Sequence, residues 1–454
     1  MKRLDKFAIG LMAGLIAMIL AVVWLVSQIS VTITLETNTE AQISPLAALK
    51  FSFSTAVEPK KLETAFWTEP DLPGRWVWLD ERYATWHLDQ ALASGSQLQV
   101  GFDAQPARND AGNFSPIQWT LQVREPSLIY LQIVKPGKEL FVVGFEPGAV
   151  PRQLTSELSQ IIDFSVAPDG EIVVFSMMNY QGGADLWQIH RSGDDKKLLL
   201  NCAMDRCTTP SWSPMGDQLA FTREKATPGS GSVVGAPRPW ILNLQSNAVQ
   251  PLYADDQQIG YGPTWSPDGQ WLSIWNGLGG GVDLYQPVTD TLVNLASKTG
   301  DTGSWSANSG TFYFSNVYGE DSLFRTTIFQ ANMQTGEVDI WVGGNLDEQG
   351  LSYFHPVCNP VYAGCAVSVQ VDPQMPRREL RWIPTGSGTP QVILADLSVI
   401  VSNYTWSADG RYLLYTRGDL STMSQGSEIW VWDLQNQDEQ RKITDEAFFP
   451  AWLN

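Results

Sequence analysis

The sequence is poor in positive charge. Lysine and arginine number 29 against 48 aspartates and glutamates, a formal net charge of −19 over 454 residues. A surface of that sign repels a phosphate backbone. No basic patch or RNA-binding motif offsets it, which excludes nucleic acid as a partner. Histidine is scarcer still: His87, His190 and His355 are the whole supply. None has a second ligand at zinc-binding spacing, and each is accounted for by its place in or beside an alternating strand. A nucleophile elbow G-x-S-x-G, an H-E-x-x-H helix and a phosphate-cradling G-x-x-x-x-G-K-[ST] loop are all missing. These gaps leave no catalytic residue, cofactor or metal site to nominate.

Cysteine is sparse and paired at short range, as Cys202 with Cys207 and Cys358 with Cys365. Neither pair is C-x-x-C. Four cysteines allow 3 pairings, and the spacing suggests two local disulfide staples, with four unpaired buried thiols as the alternative. Disulfides persist outside the reducing cytosol.

Residues 7–26 carry no charge, and 20 residues at 1.5 Å rise match a hydrocarbon core of roughly 30 Å. Lys2, Arg3 and Lys6 precede this run, and little positive charge follows before Lys50. The positive-inside rule then leaves residues 1–6 in the cytoplasm, makes 7–29 an uncleaved signal anchor, and exports the rest through a linker at 30–35. Gly10 and Gly14 form a G-x-x-x-G that could pair two such helices weakly.

Residues 36–125 alternate short apolar runs with turn residues, as in Ala48–Ser54, Arg75–Leu79, Ala84–Leu88, Gln97–Phe102 and Ile117–Val123. Period-two alternation argues for half-buried strands, and about 90 residues of them for a β-sandwich. Ser44-Pro45, Phe51–Ser54, Val57-Glu58-Pro59, Leu92–Val100 and Asp110–Asn113 stand in the order seen in bacterial Ig-like domains. The segment resembles that family, whose members serve as spacers or adhesion modules.

From residue 126 the chain repeats itself. The copies are Phe164–Gly170, Pro210–Gly216, Pro263–Gly269, Gly303–Ser309, Ser352–Pro356, Tyr404–Gly410 and a fragment, Phe449–Asn454. Their aromatic-equivalent positions are 166, 212, 265, 305, 354, 406 and 452, with gaps of 40 to 53 residues. That period suits four-stranded propeller blades. The W-S-P-D-G element, complete in Pro263–Gly269, ends strand A, and Asp-Gly turns tightly into B. Strands C and D follow. Asp169, Asp268 and Asp409 therefore read as turn residues. Residues 127–155 supply B, C and D without an A, and 447–454 supply an A alone. Joined, they close a ring and remove exposed sheet edges. The repeats resemble the TolB-like, WD-repeat-like propeller over 126–454. The fold class expected is thus all-β: a seven-bladed propeller, six blades being the alternative, after an Ig-like sandwich and one transmembrane helix.

Propellers of that family bind proteins or peptides, or accompany hydrolase domains; here the repeats run to the last residue. In a four-stranded blade the B–C and D–A connections share one end. The segments expected there are Arg223–Pro239, Trp275–Gly281, Tyr318–Asp321, Arg417–Ser427, Asp255–Tyr261 and Asn345–Gly350. They are long, aromatic and acidic, and such loops on a rigid scaffold commonly carry function. The candidate binding face comprises Trp240, Asp255, Asp256, Tyr261, Trp275, Tyr318, Glu320, Asp321, Asp347, Glu348 and Asp419. The function expected is a non-enzymatic, membrane-anchored binding or scaffold protein of the cell envelope, with a protein, peptide or glycan partner. Two alternatives stand: an enzyme acting on envelope glycans through an acidic channel, and the ectodomain of a membrane sensor complex.

Overall fold

The computed structural model describes residues 12, 14–18, 31–37, 42–103, 115–156, 160–226, 234–255, 257–320, 323–344, 350–375, 377–386, 388–396, 398–419, 426–437 and 439–454. The chain divides into two units, Met1–Arg124 and Glu125–Asn454. Most of the expected anchor at 7–29, Gly10 included, lies outside the described residues. Residues 12 and 14–18 are helical and expose their side chains. Among the described residues no helix is long and apolar enough to cross a membrane.

The first unit has two antiparallel sheets. One orders Ile33–Leu35, Ala48–Phe53, Tyr83–Leu88 and Gly74–Asp80; the other orders Phe66–Glu69, Gln97–Phe102 and Ile117–Gln122. Alternation puts Leu49, Phe51, Leu98, Val100, Phe102 and Leu121 into one shared core. Phe51 meets Phe102 edge-on at 5.3 Å between centroids, an orientation that suits the ring quadrupoles. Ile33–Leu35 falls in the stretch read as linker. Its Ile-Thr-Leu alternation buries Ile33 and Leu35 against Phe51–Phe53, so it is a strand. A short helix, Pro59–Ala65, has no counterpart in the sequence reading; Pro59 at its first turn needs no N–H partner there.

The second unit is built from successive four-stranded antiparallel sets. They are Ile161–Val166, Ile172–Met178, Ala184–His190 and Lys197–Leu200; then Arg206–Trp212, Gln218–Ala226, Val234–Asn243 and Val249–Pro251; then Tyr261–Trp265, Leu272–Asn276, Gly281–Gln286 and Thr291–Ala296. Next come Ser304–Trp305, Thr311–Glu320, Leu323–Asn332 and Val338–Val342, and Ser352–Cys358, Gly364–Gln370, Glu379–Pro384 and Gln391–Leu394. The last three new strands are Ile400–Trp406, Tyr412–Gly418 and Ser427–Asp433. The long strand Gln440–Leu453 then serves twice. Its first half pairs with Ser427–Asp433 as a D strand, and its second half pairs with Ser127–Val134 as an A strand. Gly137–Gly144 and Arg152–Gln153 complete that closing set.

Every set shares an apolar core with the next. Leu219, Phe221 and Leu242 pack on Val174 and Leu186; Trp406, Leu413 and Trp432 pack on Ala366 and Leu380. The series returns to its start, because Ile129, Leu131 and Leu453 of the closing set pack on Ile161, Val173 and Phe175. B strands are covered on both faces and read as continuous apolar runs; Leu219, Ala220 and Phe221 are fully buried.

The W-S-P-D-G element works as a polar clasp. Ser266 Oγ donates to Asp268 Oδ1 at 2.5 Å, and Asp268 Oδ1 also accepts Gln270 N, while Ser266 Oγ accepts Trp271 N at 3.0 Å. Gly269 sits at φ 71°, where a Cβ would be strained. These carboxylates are consumed by the turns. The tryptophan adds an inter-set bond. Trp265, Trp406 and Trp452 each donate Nε1–H to a carbonyl of the preceding A strand, on Ser211, Val357 and Thr405.

Both disulfides form, Cys202–Cys207 and Cys358–Cys365. The second changes the reading of its repeat. Cys358 pairs across the sheet with Cys365, as Trp212 pairs with Leu219 and Trp406 with Leu413. Cys358, not Phe354, therefore occupies the tryptophan position, and Asn359-Pro360 replaces Ser-Pro. Asn359 does the serine's work: its Oδ1 accepts the backbone N–H groups of Val361 and Tyr362.

Buried hydroxyls in the B strands latch neighbouring sets. Thr222 Oγ1, fully buried, accepts Gly262 N from the next set at 3.0 Å and shares a proton with Thr209 Oγ1 at 2.7 Å. Replacing Thr222 by Val keeps the shape and strands both partners. The expected loss is about 1–3 kcal/mol in urea unfolding; a loss below about 0.5 kcal/mol, the range of ordinary surface changes, would remove the latch from the account.

Candidate functional site

Antiparallel order fixes which connections share an end. A–B and C–D turns lie at one end of every set, and B–C and D–A connections at the other. Exposed large apolar side chains stand at both ends. At the B–C/D–A end stand Tyr180, Met204, Leu278, Phe324, Met375 and Phe449, with Tyr180 96% and Leu278 83% accessible. The other end exposes Val150, Val288, Leu292, Val338, Tyr362 and Val392.

Two of the apolar tips sit on built supports. Asn179 Oδ1 accepts Gln181 N and Gly183 N, and its Nδ2 donates to buried Asp185 at 3.0 Å and to Ala203 O. Asp185 also accepts Cys202 N, which ties the turn to the Cys202–Cys207 staple. Asn276 and Asp283 repeat the arrangement beneath Leu278: Asn276 Nδ2 donates to Asp283 at 2.8 Å and its Oδ1 accepts Gly279 N. The same asparagine–aspartate clamp thus holds Tyr180 and Leu278 out on fixed turns.

Each A strand starts at this end, and most start with a bulge. Thr209, Gly262, His355, Asn403 and Phe449, three residues before Trp212, Trp265, Cys358, Trp406 and Trp452, have φ between 46° and 64°. For a residue with a side chain that conformation costs roughly 1–2 kcal/mol. Inter-set bonds hold it: Thr209 N donates to Asp163 Oδ2 at 2.7 Å, and His355 N to Ser315 Oγ at 3.1 Å.

On one side the bulges bring acids together. Asp163 Oδ1 is buried without a hydrogen-bond partner. Burial pushes the Asp163 carboxyl up to about 6 against the opposing Thr209 N–H. Burial also raises Glu224, with Arg206 opposing, and raises the Tyr261 phenol, helped by the charges of Asp163 and Glu224.

On another side the chemistry is cationic. The Arg378 guanidinium stacks 3.5 Å above the Phe354 ring. Buried Tyr404 donates its hydroxyl proton to His355 O and reaches Phe354 O at 3.5 Å, fixing that strand. His355 is exposed, with Nδ1 3.7 Å from Asp301 Oδ2. Asp301 itself accepts Ser315 Oγ and Gly303 N. Burial lowers the Arg378 pKa, with Tyr404 opposing, and raises that of Tyr404, with Asp301 adding.

Among the described residues no group of three or more His, Cys, Asp or Glu side chains could hold a metal ion. At the opposite end a cleft of ≈ 390 Å³ lies beside Ser306, Asn308, Cys358, Tyr362 and Thr385, with no charged side chain in its lining.

No family model matches the sequence, and no curated protein matches it. Solved structures with related folds include TolB from Acinetobacter baumannii, at 10% identity and TM-score 0.45, covering 86% of this chain and 83% of that one. An oligogalacturonate lyase from Vibrio parahaemolyticus is similar at 12% and 0.46, over 71% of this chain and 86% of its own. An acylaminoacyl peptidase from Pyrococcus horikoshii is similar at 11% and 0.47; this chain covers 77% of itself and 51% of that enzyme. Neighbours thus include TolB proteins, a lyase and a peptidase.

The residues nominated from sequence scatter. Tyr261 opens its A strand beside Asp163 and Glu224 and is 43% exposed. Asp255 is exposed and caps its own turn by accepting Gln257 N. Asp419 is exposed just beyond Tyr412–Gly418. Trp275 ends its B strand, partly buried on the neighbouring core. Tyr318 is in a strand rather than a loop, paired with Arg325 and edge-on to Phe329. Trp240 is also misplaced by the loop reading. Strands Gln218–Ala226 and Val234–Asn243 run through most of 223–239, so Trp240 is mid-strand, opposite Phe221 and under Arg223. The Gly/Pro content there suggests a loop, but Pro237 and Pro239 fall within a ladder that continues to Val234. Asp256, Asp321, Asp347 and Glu348 lie outside the described residues, as does the Glu320 side chain. Asp163, Glu224, His355 and Arg378 are not among the residues nominated from sequence.

Proposed function

We propose that this protein is a non-enzymatic binding or scaffold protein held at the membrane by residues 7–29 and facing out of the cytoplasm. In this reading 36–125 is an Ig-like spacer and 126–454 a seven-bladed propeller, each four-stranded set being one blade. The B–C/D–A end takes a protein, peptide or glycan. One observation carries the choice of that end: fully exposed Tyr180 and Leu278 are each supported by an asparagine–aspartate clamp. Apolar tips on rigid turns add little to folding stability and cost little ordering entropy on binding, which is the economy of a preorganised contact. Two disulfides support an oxidising compartment.

The triple variant Tyr180→Ser, Leu278→Ser, Phe324→Ser tests this reading. These side chains are exposed, so the thermal midpoint should stay within about 2 °C, the range of neutral surface changes. Capture of envelope partners by the full-length chain should fall at least about tenfold, equivalent to roughly 1.4 kcal/mol. Equal recovery by variant and wild type would move the binding surface elsewhere.

A glycan-cleaving enzyme is favoured by one observation only, the pair of raised carboxyls Asp163 and Glu224 acting on one phenol. Release of reducing ends from envelope glycans that disappears in Glu224→Gln would establish it over the binding reading.

A further inference from the structure

We infer that Arg378, with His355 beside it, forms a subsite for the carboxylate of a bound peptide at the B–C/D–A end. The inference rests on the reading that this end binds a partner. Arg378 lies in the B–C connection before Glu379–Pro384. It is half-buried and held flat on Phe354, and it makes no hydrogen bond or ion pair among the described residues. Arginines in that state are costly: stacking on Phe354 offsets part of the lost hydration, but the N–H donors at the guanidinium edges gain no acceptor unless a ligand supplies one.

Nearby carboxylates do not complete it because each is engaged. Glu379 receives Arg381 at 2.6 Å, and Asp396 receives Arg417 at 2.7 Å. Asp372 accepts Gln374 N, and Asp301 accepts Ser315 Oγ and Gly303 N. The stacking platform is fixed in turn. Tyr404 binds the carbonyls on both sides of the Phe354–His355 bond, and His355 is locked at φ 50° by Ser315. Guanidinium edges thus stay open in a set plane, the geometry that accepts a carboxylate through two parallel N–H bonds.

Charge selects the anion. One guanidinium faces the site, and Asp301 lies 3.7 Å from His355 Nδ1. A phosphate dianion would meet more repulsion from Asp301 than a carboxylate monoanion does. Apolar surface selects a peptide. Met375, three residues before Arg378, is 49% exposed, and Tyr180 and Leu278 project at the same end. A peptide offers apolar side chains and a carboxylate together.

The test uses the full-length chain on an array of random octapeptides made in three forms. One bears a free C-terminal carboxylate without Asp or Glu; one is amidated and contains Asp or Glu; one is amidated and contains neither. Wild type should favour the carboxylate-bearing forms by about tenfold or more, as expected of a charge-assisted pair. Arg378→Gln should remove that preference and leave the third form unchanged, Arg378→Lys should keep part of it, and Phe354→Leu should reduce it with Arg378 intact. An unchanged preference in Arg378→Gln overturns the carboxylate site while leaving the binding end in place. No preference in wild type also overturns it. Displacement of the peptides by free glutarate at equal strength, or preferential binding of a uronate oligosaccharide, assigns the site to another class of ligand and overturns the peptide assignment.

Discussion

Deleting residues 446–454 is expected to abolish cooperative unfolding of the second unit. These residues form the A strand of the closing set, in register Ala447 with Gln132, Ala451 with Ile129 and Trp452 with Leu128. Removing them uncovers Leu128, Ile129, Tyr130 and Leu131, all fully buried, and discards Trp452 and Leu453. Each large apolar side chain returned to water costs about 1.5–3 kcal/mol. The sum approaches the roughly 5–15 kcal/mol that holds a domain together. Further bonds go with the strand. Trp452 Nε1 donates to Thr405 O, and Arg191 donates to Asn454 O. A Cβ on Gly170 would lie 1.7 Å from that same oxygen, so the neighbouring turn is shaped around the strand. The bared edge of Ser127–Val134 would also template aggregation. Circular dichroism should show no sharp thermal transition of the second unit in the truncated chain, while that of the first unit stays. A transition of that unit within about 2 °C of wild type, the effect of roughly 1 kcal/mol in a unit of this size, would mean that closure contributes little. Trp452→Ala, losing the indole and its bond, should cost about 3–5 kcal/mol by itself.

That closing strand was legible in sequence because its chemistry repeats. Phe449-Pro-Ala-Trp carries the same aromatic-and-proline grammar as Tyr404-Thr-Trp or Pro263-Thr-Trp, and the missing B, C and D could be sought elsewhere. The repeat containing Cys358 was misaligned for the converse reason. Its tryptophan is a cysteine and its clasp serine an asparagine, so only the cross-strand partner reveals the register. A disulfide does there what packing and an indole N–H do in other sets. Loop extents failed for a different reason. Where a ladder continues past its core, as at Arg223–Ala226 and Val317–Glu320, side chains turn polar while backbone pairing persists. Polarity then imitates a loop, although Trp240 and Tyr318 stand in strands. Asp163 and Arg378 were invisible for a third reason. Their character comes from what surrounds them in space: a bulge N–H from one neighbouring set, an aromatic ring from another strand.

Replacing Asp163 by Asn is expected to stabilise the protein at neutral and alkaline pH and to leave it unchanged in acid. The Asp163 carboxyl has one oxygen on Thr209 N and the other buried without a partner. Burial raises its pKa from the ordinary 3.8 to about 6. Below the ordinary value both folded and unfolded chains are protonated, and the residue contributes no difference. Between about 4 and 6 the folded chain keeps a proton that the unfolded chain has released, so stability falls as pH rises. Above about 6 both forms are ionised and the full penalty is present, at most about 3 kcal/mol. Asparagine retains an oxygen for Thr209 N–H and brings no charge. Urea unfolding at pH 8 should therefore favour Asp163→Asn by about 1–3 kcal/mol, with the difference closing near pH 4. Groups with lowered pKa, such as Asp433 held by Arg411, act in the opposite direction. They are common to both chains and cancel in the comparison. A difference that does not change with pH would show that Asp163 is not the source of the cost. Under the proposed binding reading, a carboxylate kept at that cost, at the end that presents Tyr180 and Leu278, would serve a partner that supplies the missing donor. Asp163→Asn should then gain stability and lose affinity together.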